Sequence, residues 1–216
     1  MKITRLIRLL LGLALFALGI VLTVNANLGL APWDAFHVGL TKIFNLSFGR
    51  VSMLVGFTVL IINYFLNESI GVGTIGNIFI IGLILDFIFD SNIIPVTDNF
   101  ITGVIMIILG MIIIAIASYF YIGSGFGTGP RDGLMVALTR ITKKPVGLIR
   151  GGIELSVLVL GFLLGAKIGI GTILIAFGIG PIVQTVFKVL RFEVQDVKHD
   201  SFIQRNKEKK ILDSNT

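Results

Sequence analysis

Six runs of the chain, residues 6–24, 51–66, 75–90, 100–122, 148–166 and 172–190, are apolar and poor in charge. Most are about the 20 residues that cross a ~30 Å hydrocarbon layer as an α-helix. The run 51–66 is shorter and needs its neighbours to complete a crossing. Backbone polar groups in lipid must be satisfied within the segment, so these runs fold as helices. Composition agrees: of 216 residues 55% are hydrophobic and 14% charged, too few charges to cover a water-soluble globule. A soluble enzyme, a nucleic-acid-binding domain and a disordered chain are excluded. The net charge of +6 then reads as basic cytoplasmic loops and tails.

The first segment, MKITRLIRLLLGLALFALGIVLTVNA, has the basic start and apolar run of a signal peptide. It is expected to be retained as the first helix, because the rest of the chain also spans the membrane and the segment has a counterpart later on. Two shorter segments, 32–45 and 130–142, are apolar but interrupted by Gly, Pro and charge.

A shift of 98 residues lays NLGLAPWDAFHVGLTKIF on GFGTGPRDGLMVALTRIT. Between 29–75 and 127–173 there are 16 identities in 47 gapless positions, with Pro32 on Pro130, Asp34 on Asp132 and Gly49 on Gly147. Apolar bias does not put Pro, Asp, Gly and Thr in one register, so an internal repeat is expected. The fold expected is an all-α polytopic membrane protein of two homologous repeats of about 98 residues, 1–98 and 99–196. Each repeat has four helical elements, three long and one short and broken, and residues 197–216 form a polar cytoplasmic tail.

Charge sets the expected orientation. The gap after the first short segment carries Lys42 and Arg50, and its counterpart carries Arg140, Lys143, Lys144 and Arg150. With the basic N-terminus and tail, placing all of these in the cytoplasm requires an even number of crossings per half. The expected arrangement is therefore parallel, with eight crossings. An inverted arrangement, with re-entrant short segments and six crossings, would put Lys42 and Arg50 outside. Against the parallel choice, the linker DSNIIPVTD has no Lys or Arg.

The matched motif is Gly-x-Ala/Gly-Pro-x-Asp at Gly29–Asp34 and Gly127–Asp132. Its simplest role is helix punctuation, with Pro at the first position and Asp in the first turn. Length points further. About thirteen helical residues reach only ~20 Å, so extended backbone must complete the path. Irregular backbone at membrane depth survives only when buried in protein or lining a wet cavity. Paired Gly/Pro-interrupted segments in two repeats point to a transporter's central site. The backbone breaks are expected at Gly29, Gly127 and Gly129, with a second pair at Gly71 and Gly73 and at Gly169 and Gly171. The candidate pathway residues are Trp33, Asp34, His37, Arg131, Asp132 and Glu154.

Each candidate has a structural alternative. Trp33 suits an interfacial anchor, His37 a packed core position, and Glu154 an i,i+4 pair with Arg150. Asp34 and His37, three apart, are spaced to share a proton. Asp86 and Asp90 are expected at a helix end among headgroups. GSGFGTGPRDG fits no nucleotide-binding loop, and no Ser–His–Asp or HExxH grouping is present. Gly147/Gly151 and Gly161/Gly165 fit close helix packing.

LGLAPWDAFHVGL after a first helix, followed one repeat later by GFGTGPRDGLMVALTR, resembles the YczE-like branch of the YitT/YczE group of bacterial integral membrane proteins. The resemblance covers residues 1 to about 195. It implies a multi-pass protein of the bacterial plasma membrane and brings no reaction, substrate or site residue with it. The basic termini place both ends in the cytoplasm. The function expected is a small secondary transporter or facilitator, not an enzyme, with no cofactor or metal. Its partners would be the bilayer and, beside Arg131, a small anionic solute. The alternative is a non-transporting accessory protein, a homodimer or the companion of another membrane protein.

Overall fold

A computed structural model describes residues 2–68, 70–127, 129–193 and 197. The polar tail expected over 197–216 lies outside the described residues apart from Val197. The described chain is all-helical: α1 (Lys2–Asn25), α2 (Pro32–Phe44), α3 (Phe48–Phe65), α4 (Val72–Ser91), α5 (Phe100–Gly123), α6 (Pro130–Thr142), α7 (Val146–Leu163) and α8 (Ile170–Val189). Six of these, all but α2 and α6, are long and apolar enough to cross a membrane. Each of α5–α8 begins and ends 98 positions after its counterpart among α1–α4.

Local chemistry explains the boundaries. Pro32 and Pro130 open the two 13-residue helices at the first position, where a missing N–H costs nothing. Ser47 accepts from the Arg50 amide at the start of α3, and Asn99 accepts from the Thr102 amide at the start of α5. Asn45, Lys143 and Asn92 end α2, α6 and α4 in left-handed conformations.

α1 and α5 form the central pair and run antiparallel. Gly12 lies against Tyr121, Gly19 against Gly110 and Ile114, and Gly103 against Ala26 and Leu28. α4 runs parallel to α1: Gly76 faces Leu13, while the Thr97 amide donates to the Asn25 carbonyl at 2.9 Å. α3 runs back along α4, with Gly49 beside Asp86 and Gly56 beside Ile78. α8 follows α5 in the same direction, with Gly171 beside Ile107 and Gly178 beside Met111. Leu13, Val21 and Leu85 fill the core between α1 and α4, and Ile107, Met111 and Ile175 the core between α5 and α8.

These directions overturn the parallel, eight-crossing expectation. Antiparallel α1 and α5 cannot cross a bilayer in the same sense, and at ~1.5 Å per residue neither 13-residue helix crosses at all. The α2–α3 turn, with Lys42 and Arg50 beside it, lies at the far end of α1. There the Lys42 ammonium donates to the Gly165 carbonyl, and Asn27 Nδ2 donates to Asp98 Oδ1 at 3.0 Å. Arg5 and Arg8 lie at the opposite end, where Arg5 Nε donates to the Ser124 carbonyl at 2.7 Å. Phe192 beyond α8 stacks on Tyr119 at that same end. α2 therefore starts inside the bundle and emerges at the far end, while α6 emerges at the end of Arg5. The linker without Lys or Arg had signalled this, since it shares the far end with Asn25.

Candidate functional site

The irregular segments before α2 and α6 are held by a reciprocal backbone exchange. The Gly171 amide, at the start of α8, donates to the Leu28 carbonyl at 2.8 Å. The Gly73 amide, at the start of α4, donates to the Phe126 carbonyl at 2.7 Å. Each broken segment thus satisfies an orphan amide of a helix in the other half. Gly29 and Gly127, with φ of 118° and 115°, lie where these backbones cross. Thr172 Oγ1 and Thr74 Oγ1 complete the turns by accepting from the Gly169 and Gly71 amides, each at 3.3 Å. Gly29, Gly71, Gly73, Gly127, Gly169 and Gly171 all belong to these crossings. Gly129 does not. Its φ is −62°, and a Cβ there would make only ordinary contacts.

From these crossings α2 and α6 start near the middle of the bundle, and their first turns meet through side chains. Trp33 lines a cleft with Val55, Thr58, Val59 and Ile62 around the middle of α3 and with Val157 past the middle of α7. Arg131 crosses from α6 and covers the Trp33 ring, its guanidinium carbon 4.6 Å from the centroid. Arg131 Nη2 also lies 3.5 Å from His37 Nε2. Asp34, Asp132 and Glu154 are the carboxylates near this guanidinium, and no ion pair among the described residues includes Arg131. Trp33 is thus a half-buried stacking partner of Arg131 at the start of α2.

Asp34 is 4% exposed and His37 1%. No Asp34–His37 hydrogen bond links them. His37 turns its ring edge to Phe48, 5.5 Å between centroids, and its Nδ1 has no hydrogen-bond partner. Asp132 differs from its counterpart Asp34. It sits in the first turn of α6 and is exposed. Glu154 is held by Arg150 Nε at 2.9 Å in the i,i+4 pair that was the structural alternative. That partly exposed pair contributes only about 0.5 kcal/mol.

Three further polar residues surround the start of α6. Asn63 Nδ2 on α3 donates to the Pro130 carbonyl at 2.7 Å, while its Oδ1 is buried without a partner. The Tyr121 hydroxyl is likewise buried and unpartnered, and it faces Gly129 together with Asn77 Nδ2. Their counterparts at the start of α2 are Gly161, Thr23 and Ile175. The polar chemistry therefore gathers on one side of the pair. Asn63 is a lone amide in an apolar run, which is itself the signal that sequence reading passed over.

Two clefts converge on Trp33. One, of about 420 Å³, runs between α6 and α7 past Leu138, Thr142, Lys144 and Ser156. The other, of about 310 Å³, runs between α2 and α3 past Phe36, Leu40 and Thr58. Trp33 and Val157 line both, so the indole stands between the two clefts.

Residues 3–188 match the Family of unknown function (DUF6198). The chain is 34% identical to the uncharacterized membrane protein YczE of Bacillus subtilis, over 80% of each chain. It is 33% identical to an uncharacterized protein of Haemophilus influenzae over 84% of this chain and 83% of that one. With the uncharacterized protein YyaS of Bacillus subtilis the identity is 30%, over 76% of this chain and 83% of the relative. No solved structure matches. The match across nearly the whole helical region and the shared length with YczE settle the assignment: this multi-pass membrane protein belongs to the YczE-like DUF6198 family.

Proposed function

We propose that the chain is a small secondary transporter or facilitator for an anionic solute. It is built of two inverted repeats, 1–98 and 99–196, whose broken segments meet at the solute site. The observation that carries this reading is Arg131, a buried-side cation at the facing first turns of α2 and α6, with a cleft on either side. A helix start adds oriented N–H groups and a positive dipole end, which favour an anion. The repeat reading is supported by the common offset of 98 between helix bounds and by the reciprocal Leu28–Gly171 and Phe126–Gly73 bonds.

Charge supports the orientation. Arg5, Arg8, Arg140, Lys143, Lys144, Arg150, Lys188 and Arg191 gather at one end, against Lys42, Arg50 and Lys167 at the other. By the positive-inside rule the first end, with the start of α1 and the end of α8, is cytoplasmic in a bacterial plasma membrane. The chain lacks cysteine, so single replacements report cleanly. A cysteine replacing Lys42 is expected to react with a membrane-impermeant maleimide in intact cells, and one replacing Lys144 only after permeabilisation. Equal protection of both would restore the parallel arrangement.

Solute binding is tested on the purified protein by thermal unfolding with inorganic phosphate and small mono- and dicarboxylates. At a hundredfold excess over Kd, one class should stabilise by about 2.7 kcal/mol. That gain should vanish in Arg131→Gln. If no anion stabilises the protein and a stoichiometric membrane partner copurifies, the accessory role replaces this reading.

A further inference from the structure

The two halves share helix lengths but not conformation, and the seam between the last two helices of each half differs most. In the first half α3 and α4 are closed along their far-end portions. Ser47 Oγ donates to Asp86 Oδ2 and the Gly49 amide to Asp86 Oδ1, each at 2.6 Å. Gly49 and Gly82 are buried in that contact, with Met53 packed over Gly82. In the second half the matching seam between α7 and α8 stands open. A Cβ added at Gly147, Gly151, Gly152 or Gly180 would meet nothing within 4 Å.

The central aspartates follow their seams. Asp34, behind the closed one, is buried, and Asp132, behind the open one, is exposed. The open side carries polar groups that suit water better than lipid: Asp132, Arg150, Glu154 and Gln184. The latch itself is one-sided. Pro145 and Gln184 stand where the first half has Ser47 and Asp86, and Gly151 stands for Met53. The open seam therefore lacks the hydroxyl, the carboxylate and the packing thioether that hold the closed one.

We propose that these seams are the two gates of one exchange: α7 closes on α8 as α3 opens from α4, and the solute site turns from the end of Arg5 to the end of Lys42. The proposal rests on the transporter reading above and adds the moving parts to it. Two halves with equal elements have two arrangements related by a two-fold rotation that exchanges their conformations, and each seam offers glycine faces on which a helix can seat. The state described here is open at the basic end. The Asp86 latch makes it the resting state, and a solute shifts the population only by binding the other arrangement more tightly.

Cross-linking in native membranes tests the exchange without needing the solute. Ser47→Cys/Asp86→Cys is the positive control, since its side chains are already in contact. Pro145→Cys/Gln184→Cys spans the open seam and is expected to cross-link under a mild oxidant as the seam closes. Gly147→Cys/Gly180→Cys is the second pair, at positions where added atoms meet nothing. Once the 145–184 pair is linked, a cysteine replacing Met53 should become several-fold more reactive towards an impermeant maleimide from the Lys42 side. If the control links while both α7–α8 pairs stay free, with and without the anion panel, the gate does not exist. Linking without any gain in reactivity at position 53 also overturns it, because the seams would then move independently. Anion stabilisation that Arg131→Gln abolishes, with no α7–α8 closure, keeps the site and removes the gates. Closure with no anion effect does the reverse.

Discussion

Gly29→Ala and Gly127→Ala are each expected to lower stability by about 2–6 kcal/mol, enough to lose the folded protein from detergent extracts. Two effects add. At φ of 118° and 115° an L side chain is strained, at a cost of about 1–3 kcal/mol. The added methyl also has no room. At Gly29 it would stand 2.5 Å from the Gly169 nitrogen and 2.8 Å from Thr172 Oγ1, and at Gly127 3.0 Å from both the Gly71 Cα and Thr74 Oγ1. Relief requires moving backbone, which parts the Leu28–Gly171 or Phe126–Gly73 bond. The Gly29 variant should suffer more, because its backbone clash is closer. Gly129→Ala is the control. Its φ is −62°, its nearest contact would be 3.5 Å, and the matching residue in the first half is already Ala31. Thermal unfolding monitored by circular dichroism ranks the three. An unchanged Gly29→Ala midpoint would mean that the crossings are not required for folding.

The second large effect is expected at Arg131. Arg131→Met should destabilise by about 3 kcal/mol, from a lost cation–π contact with Trp33 and from leaving the Asp34 charge buried without its cation. The diagnostic is recovery rather than loss. Asp34→Asn removes the charge that Arg131 compensates, so the double variant Asp34→Asn/Arg131→Met should be more stable than Arg131→Met alone. The expected coupling is about 1–2 kcal/mol. Arg131→Lys keeps the charge but loses the planar group that covers the indole, so its stability should fall between wild type and Arg131→Met. Additive single effects would show that Arg131 does not balance Asp34.

The membrane spans and the two short helices were legible because apolar length and proline placement are local properties. α6 begins and ends at 130 and 142 as its residues imply, and α2 differs from its expected end by one residue. Direction was not local. The charges at Lys42 and Arg50 counted as cytoplasmic by sign, yet whether α2 crosses or turns back depends on its packing with α3 and α7. The site shows the same division. Asp34 and Asp132 stand out as matched residues, and so does their asymmetry with Trp33 and Arg131. That Arg131 would lie over Trp33 follows only once the two short helices point away from each other. Asn63 was passed over because its partner surface, the start of α6, is 67 residues away along the chain.

The reciprocal bonds at Leu28–Gly171 and Phe126–Gly73 have a consequence for how the protein is made. A ribosome delivers α1–α4 to the membrane before α5 exists. At that stage the Gly73 amide has no Phe126 carbonyl to meet, and the Leu28 carbonyl has no Gly171 amide. Backbone groups left unpaired near the middle of a bilayer are costly. The early segments must therefore keep these groups wet, or stay beside the insertion machinery, until the later ones arrive. Assembly is completed by two late stitches, each made by the last-synthesised half.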